Sequence, residues 1–240
     1  MSSKLARSSV SVFFPAYNDA QSIVKLTEDA LEILPHLTDD YEVVVINDGS
    51  TDETGSVLNH LQTKYERLRV VHHKTNKGYG AALRSGFREA KKDLVFYTDG
   101  DGQYDVRELP KLFSLLTENI DIVNGFKLER GDNISRKLAG NSYNRLAHFL
   151  FSLPTRDVDC DFRLIRREML DKLTLVSDSG SICVELVYKL KRAGANFREI
   201  GINHYERPFG RSQFFTFRRV SKTLFDFLVL WLKLVILRRK

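Results

Sequence analysis

Short apolar runs alternate with stretches of helical period along the first half of the chain. Residues 10–14, 42–46, 68–72, 94–98 and 121–124 each carry a short apolar run bounded by turn residues. Segments 20–34, 51–64, 80–90 and 106–117 between them carry apolar positions at helical spacing; in the first, Ile23, Leu26, Ala30, Leu31 and Leu34 share a face. Brief apolar strands separated by helices predict an α/β fold with a Rossmann-like, mainly parallel sheet covered on both faces. Beyond Gly125 the pattern predicts a helix over 133–151, a short strand over 162–165, a helix over 181–193 stopped by Gly194, and an extended segment over 197–204. There is no internal repeat, low-complexity tract or long linker in the sequence.

A parallel sheet of this kind binds ligands beyond the carboxyl ends of its strands, where helix N-termini present free N–H groups. Every unusual polar cluster falls at such an end. The first run leads into Pro15-Ala16-Tyr17-Asn18-Asp19, the second into Asn47-Asp48-Gly49-Ser50-Thr51-Asp52, and the fourth into Asp99-Gly100-Asp101-Gly102-Gln103. Three segments far apart in sequence therefore deliver acids to one rim, which is more specific than any single motif. Asp99, Asp101 and the Gln103 carbonyl are hard oxygen donors suited to Mg²⁺ or Mn²⁺ shared with substrate phosphates and water; a polar turn closing the strand is the simpler alternative. Asp48 at its strand exit can accept hydrogen bonds from a base or ribose, and Ser50, Thr51 and Asp52 are expected mainly to cap the next helix. The Tyr17 ring can pack on a nucleobase. Asn76-Lys77-Gly78-Tyr79-Gly80 fits neither G-x-G-x-x-G nor G-x-x-x-x-G-K-[ST] and reads as a tight turn opening a helix.

Two later segments add charge. Asp157, Asp159 and Asp161 alternate around Cys160; one face of an extended segment turned to substrate and a structural pairing with Arg163 or Arg166 are both open. In His204-Tyr-Glu-Arg207-Pro-Phe-Gly-Arg211-Ser212-Gln213, Pro208 and Gly210 shape a loop between two arginines fit to grip phosphate oxygens, or simply a solvated basic loop.

Composition narrows the class. The 240 residues suffice for a substantial core, and 42% hydrophobic with 28% charged content excludes global disorder. Two cysteines do not make a disulfide scaffold and fit a reducing compartment. The formal charge of +6 rests on 37 Lys and Arg against 31 Asp and Glu, with the excess concentrated late in the chain. A basic end favours anionic partners, yet the acidic rim and the lack of a recognised binding module argue against nucleic acid. The apolar stretch after Lys4 and Arg7 is broken by Pro15, Asn18 and Asp19, so it reads as a first strand and not a secretory leader. The expected location is therefore the cytoplasm.

The last segment, 222–237, places Lys222, Asp226 and Lys233 on nearly one line and surrounds them with a wide apolar arc containing Trp231. Its uncharged runs fall short of the ~20 residues a spanning helix needs. With Arg238-Arg239-Lys240 behind it, it is expected to be an interfacial helix at the cytoplasmic face of a membrane or a subunit contact, including a homo-oligomer, ahead of simple packing on its own domain. The expected division is a catalytic domain over 1–215 and this basic amphipathic helix over 216–240.

Taken in order, these motifs resemble the family 2 glycosyltransferases of GT-A fold, closest in pattern to the polyprenyl-phosphate (dolichyl-phosphate) sugar synthases. The resemblance spans about residues 9 to 215. It implies transfer of a sugar from a nucleotide diphosphate sugar to a lipid phosphate, with inversion at the anomeric carbon. By that likeness Pro15, Tyr17, Asp19, Asp48, Asp99, Gly100 and Lys127 match nucleotide-contacting positions, and Asp99, Asp101 and Gln103 match the metal and diphosphate motif. Arg207 and Ser212 match a late R-x-x-G-x-S-K loop that handles phosphates. The family often has Glu at Asp19, Asp at Asn47, Arg at Lys127 and Lys at Gln213; Arg211 is the candidate substitute for that lysine. Many relatives carry spanning helices after the catalytic domain, where this chain has only the amphipathic segment.

The chemistry follows from these parts. A phosphate monoester acceptor is largely dianionic at pH 7 and needs little help from a base. A saccharide or protein hydroxyl acceptor would need one, for which Asp157, Asp159 and Asp161 are candidates. Asp99 and Asp101 are expected to organise the metal and diphosphate, and Arg207 and Arg211 to hold the acceptor or leaving group. A non-catalytic nucleotide-binding scaffold is the remaining class, and the intact acidic turn argues against it.

Overall fold

The computed structural model describes residues 8–130, 134–209 and 217–237. Seven strands form one mixed sheet: β1 (Val10–Ala16), β2 (Tyr41–Asn47), β3 (Leu68–His72), β4 (Leu94–Thr98), β5 (Ile122–Arg130), β6 (Phe162–Arg166) and β7 (Phe197–His204). Their order is β3-β2-β1-β4-β6-β5-β7. The β1–β2, β1–β4, β2–β3 and β5–β7 pairs are parallel, whereas β6 runs antiparallel to both β4 and β5. The strand positions match the apolar runs closely. The reversed direction of β6 is the feature the local pattern did not show.

That reversal shapes the rim. Thr98 at the end of β4 faces Phe162 at the start of β6, so Asp161 enters the sheet beside the place where Asp99 leaves it. Parallel to one another and antiparallel to β6, β5 and β7 end on the same side, carrying Lys127 and the 204–209 segment there.

Alternate residues of each strand feed the two faces. Val12 and Phe14 join the core beneath α1 (Ala20–Ile33), α2 (Thr54–Lys64) and α4 (Leu109–Leu115), while Phe13 points to the opposite side. There Phe13 meets α3 (Tyr79–Glu89), and the same core includes residues of α6 (Arg167–Leu170) and α7 (Ile182–Arg192). A Cβ on Gly86 would lie 2.1 Å from the Phe13 ring, so the glycine lets α3 lie directly on the sheet. The helix expected over 106–117 is a 3₁₀ turn, Val106–Glu108, running into α4, and the second helix starts at Thr54 rather than Thr51.

The final helix, α8 (Phe217–Trp231), continues as a π-helical turn, Leu232–Ile236. Phe227, Leu230 and Leu234 are buried with Ala147 and Phe151 of α5 (Ile134–Phe151) and with Val184, Val187 and Tyr188 of α7. Trp231 Nε1 donates to the Leu150 carbonyl at 3.2 Å, and the Tyr188 hydroxyl donates to the Leu234 carbonyl at 3.2 Å. Packing on its own domain therefore accounts for one face of this helix. The rest of its surface leaves Val220, Leu224, Phe225, Leu228, Leu232 and Ile236 exposed.

Candidate active site

The acidic turn is set against the exit of β1. Gly100 N–H donates to the Pro15 carbonyl at 3.2 Å, and a Cβ on Gly100 would come within 2.5 Å of that oxygen. Glycine is required for the turn to sit this close. Asp101 Oδ1 accepts the Gln103 N–H at 3.1 Å. Gln103 is tied to the late loop in both directions: its carbonyl accepts the Tyr205 N–H at 2.9 Å, and its Nε2 donates to the Tyr205 carbonyl at 3.0 Å. The side-chain amide oxygen of Gln103 is a separate acceptor from the nitrogen so used.

Asp99 accepts a hydrogen bond from the Tyr79 hydroxyl at 2.6 Å, and the same hydroxyl lies 2.8 Å from Asp161 Oδ2. Burial, then the neighbouring Asp161 and Asp101, push the Asp99 pKa well above its usual range. Negative charge is crowded here, so a cation would be favoured. Asp161 itself is paired: Oδ1 takes Arg163 Nη1 at 2.7 Å and the Tyr97 hydroxyl at 3.0 Å. Arg163 is fully buried, with Nε donating to Asn124 Oδ1 and Nη2 to the Val158 carbonyl, each at 2.5 Å. The structural pairing with Arg163 thus describes Asp161, while Arg166 is used by the Ile120 and Thr117 carbonyls. Lys127 Nζ donates to the Asp159 carbonyl at 2.8 Å and stands 3.7 Å from Asp157, which fixes this cation at the rim.

Arg207 reaches over the rim. One guanidinium nitrogen pairs with Asp19, another lies 3.8 Å from Asp101 Oδ2, and Nε donates to the Phe209 carbonyl at 2.9 Å. Asp19 also accepts the Tyr17 N–H at 3.0 Å. Its pKa is pushed up to about 6, because burial outweighs the Tyr17 hydrogen bond and the Arg207 charge. Arg211, Ser212 and Gln213 lie outside the described residues.

Asp48 has partners within the fold. Its carboxylate is buried and accepts from His73 Nδ1 at 2.6 Å, Asn76 Nδ2 at 3.0 Å, Lys77 N–H at 3.0 Å and Gly78 N–H at 2.9 Å. Those four contacts match the acceptor capacity of a carboxylate. These contacts tie Asp48 to the loop before α3. Ser50 and Thr51 likewise do not cap α2: Ser50 Oγ accepts the Asn18 N–H at 3.0 Å, and Asn18 Oδ1 accepts the Thr51 N–H at 2.8 Å. These bonds staple the first two rim loops together, while Asp52 Oδ1 accepts the Thr54 N–H at 2.9 Å. Pro15 is a buried residue of β1, and Tyr17 is half-buried at its exit.

The structure thus gathers Tyr17, Asp19, Asp99, Gly100, Asp101, Gln103, Lys127 and Arg207 at one rim. Sequence reasoning missed Tyr79, Tyr97, Asn124 and His73, whose roles depend on contacts across the sheet. Among the described residues, no three His, Cys, Asp or Glu side chains gather as a closed metal site. The open pair Asp99 and Asp101, with the Gln103 amide, fits a hard divalent ion that takes its other ligands from phosphate and water.

A mixed sheet with an acidic turn at the end of β4 and a basic loop folded back over it is the architecture of GT-A glycosyltransferases. It superposes on glucosyl-3-phosphoglycerate synthase from Mycobacterium tuberculosis, in complex with Mn²⁺, UDP and phosphoglyceric acid, with a TM-score of 0.67 and 20% identity over 94% of this chain and 78% of the other. It also superposes on a mannosyltransferase from Pyrobaculum calidifontis in complex with GDP-Man and Mn²⁺, with a TM-score of 0.65 and 21% identity over 96% and 64% of the two chains. The chain belongs to glycosyl transferase family 2, whose model matches residues 11–174. A curated relative, undecaprenyl-phosphate 4-deoxy-4-formamido-L-arabinose transferase of Enterobacter sp. (strain 638), is 29% identical over 219 residues, covering 90% of this chain and 65% of that protein. This chain therefore spans about two thirds of the length of that relative.

Proposed function

We propose that the protein moves a sugar from a nucleotide diphosphate sugar to a polyprenyl phosphate, with inversion at the anomeric carbon and with Mg²⁺ or Mn²⁺ held by Asp99, Asp101 and Gln103. The observation that carries this reading is the meeting of the acidic turn and the Arg207 loop at one rim. Acids and a guanidinium side by side suit a substrate pair in which both partners bear phosphate. A bound divalent ion would neutralise charge on the departing nucleoside diphosphate. Lys127, fixed by the Asp157–Asp159 segment, adds a cation to the same rim. Arg207, released from Asp19 and Asp101, would grip phosphate oxygens, and Arg211, Ser212 and Gln213, next in the sequence, are the further candidates for that task.

The acceptor assignment rests on two supports. The curated relative acts, by its name, on undecaprenyl phosphate. Within the site, Asp161 is taken up by Arg163, Tyr97 and Tyr79, and Asp157 stands against Lys127, so two of the three acids that could serve a hydroxyl acceptor as general base are engaged by other groups, with Asp159 the remaining candidate. A phosphate dianion needs none. Among the described residues no helix is long and apolar enough to cross a membrane. The lipid would instead be met at the surface by the exposed residues of α8, which carries Lys222, with Lys233 in the following turn and Arg238-Arg239-Lys240 later in the sequence.

The test is a panel of nucleotide sugars offered with a short polyprenyl phosphate, the matching polyprenol and simple saccharides, with divalent metal present. Nucleoside diphosphate release that requires the lipid phosphate is the expected result. Release with a saccharide or polyprenol but not with the lipid phosphate would make the protein a hydroxyl-directed transferase. Metal-independent nucleotide binding without turnover would make it a scaffold.

A further inference from the structure

We infer that Tyr79 is a positioning residue for Asp99, holding that acid through its hydroxyl at the end of a relay anchored on buried Arg163. This rests on the reading above that Asp99 faces the donor diphosphate and its cation.

The backbone of Tyr79 is pinned on both sides. Before it, the Lys77 and Gly78 N–H groups donate to Asp48; after it, Gly80 N–H donates to the Asp178 carbonyl at 3.0 Å. The side chain thus starts from a fixed point at the beginning of α3. Its hydroxyl sits between two carboxylates, 2.6 Å from Asp99 and 2.8 Å from Asp161. Asp161 is held in turn by Arg163 and Tyr97, and Arg163 by Asn124 and the Val158 carbonyl. Order therefore passes outward from the sheet interior: β5 and the 158 carbonyl fix Arg163, Arg163 fixes Asp161, and Tyr79 joins Asp161 to Asp99.

Of the residues in this relay, only Asp99 belongs to the acidic turn. Its orientation follows from where the Tyr79 oxygen stands, as metal-binding carboxylates generally depend on the groups hydrogen-bonded to them. A phenyl ring would preserve the packing and leave two neighbouring acids without a donor between them. Tyr97 supplies an internal control, since its hydroxyl serves Asp161 and Arg163, one step further from the rim.

The test compares wild type, Tyr79→Phe and Tyr97→Phe by the electron paramagnetic resonance signal of free Mn²⁺, titrated in the presence of UDP or of GDP, alongside thermal melts. Loss of such a supporting hydrogen bond typically weakens metal affinity about 10–100-fold. Y79F is expected to fall in that range while melting cooperatively, with Y97F staying within about threefold of wild type. Wild-type Mn²⁺ affinity in Y79F would overturn the inference, as would an equal loss in Y97F or a Y79F protein that does not fold. If wild type itself retains no Mn²⁺ with either nucleotide, the metal reading of the acidic turn fails and the role of Tyr79 falls with it.

Discussion

Asp19 is where two opposing forces on one carboxylate can be separated. Burial favours its neutral form, and Arg207 beside it favours the charged form; burial prevails, leaving the pKa near 6 against an ordinary 3.8. The folded state then binds this proton more tightly than the unfolded chain does. The associated stability is full below about pH 4 and is lost as pH rises through about 6. Two pKa units correspond to about 3 kcal/mol. Asp19→Asn cannot titrate, so the wild type should lose up to ~3 kcal/mol relative to D19N between pH 4 and 7, measured by denaturant unfolding across that window. A difference that stays flat, or grows with pH, would show the Arg207 pair to be the dominant force. Asp48 teaches a related lesson about single residues. An acid at a strand exit looks the same in sequence whether it faces outward or gathers four donors from 25 to 30 residues away.

At the scale of elements, β1, β2, β3 and β4 were legible because each is a short, mostly apolar run closed by turn residues, whereas β7 was expected only as an extended segment. The direction of β6 was not legible, since a five-residue strand reads alike in either sense and its orientation comes from its partners. Because that orientation brings Asp161 beside Asp99, the relay through Tyr79 was hidden for the same reason. The rim acids themselves, Asp19, Asp99 and Asp101, were visible because polar clusters at the ends of buried strands have few structural uses. α8 was half legible: its apolar arc is wide enough to serve two surfaces, and the sequence does not say which positions its own domain covers. The structure leaves Val220, Leu224, Leu228, Leu232 and Ile236 as a ridge repeating every four residues. Burying a large aliphatic side chain contributes about 1.5–3 kcal/mol, and each nearby Lys or Arg about 1 kcal/mol at an anionic surface. A Leu224→Glu, Leu228→Glu double variant should therefore lose sedimentation with phosphatidylserine-containing vesicles while melting close to wild type. Unchanged vesicle binding would assign the ridge elsewhere, and loss of the fold would make it part of the core.

For the whole molecule, one geometric fact organises the rest: strands from both halves of the sheet end on one side, so acids from the first half meet cations from the second. Asp19, Asp99 and Asp101 come from β1 and β4; Lys127 and Arg207 arrive through β5 and the segment after β7. Family membership accounts for the fold and the class of chemistry, and the position of Arg207 across Asp19 and Asp101 suggests that the donor and its ion enter by taking over contacts this arginine now makes. The most direct test is anomalous scattering at the manganese edge from crystals grown with Mn²⁺ and a nucleotide diphosphate sugar. A single strong peak within coordination distance of Asp99 or Asp101 and of the diphosphate, with Arg207 moved off Asp101, is the expected result. A bound nucleotide with no manganese between it and the acidic turn would contradict the account.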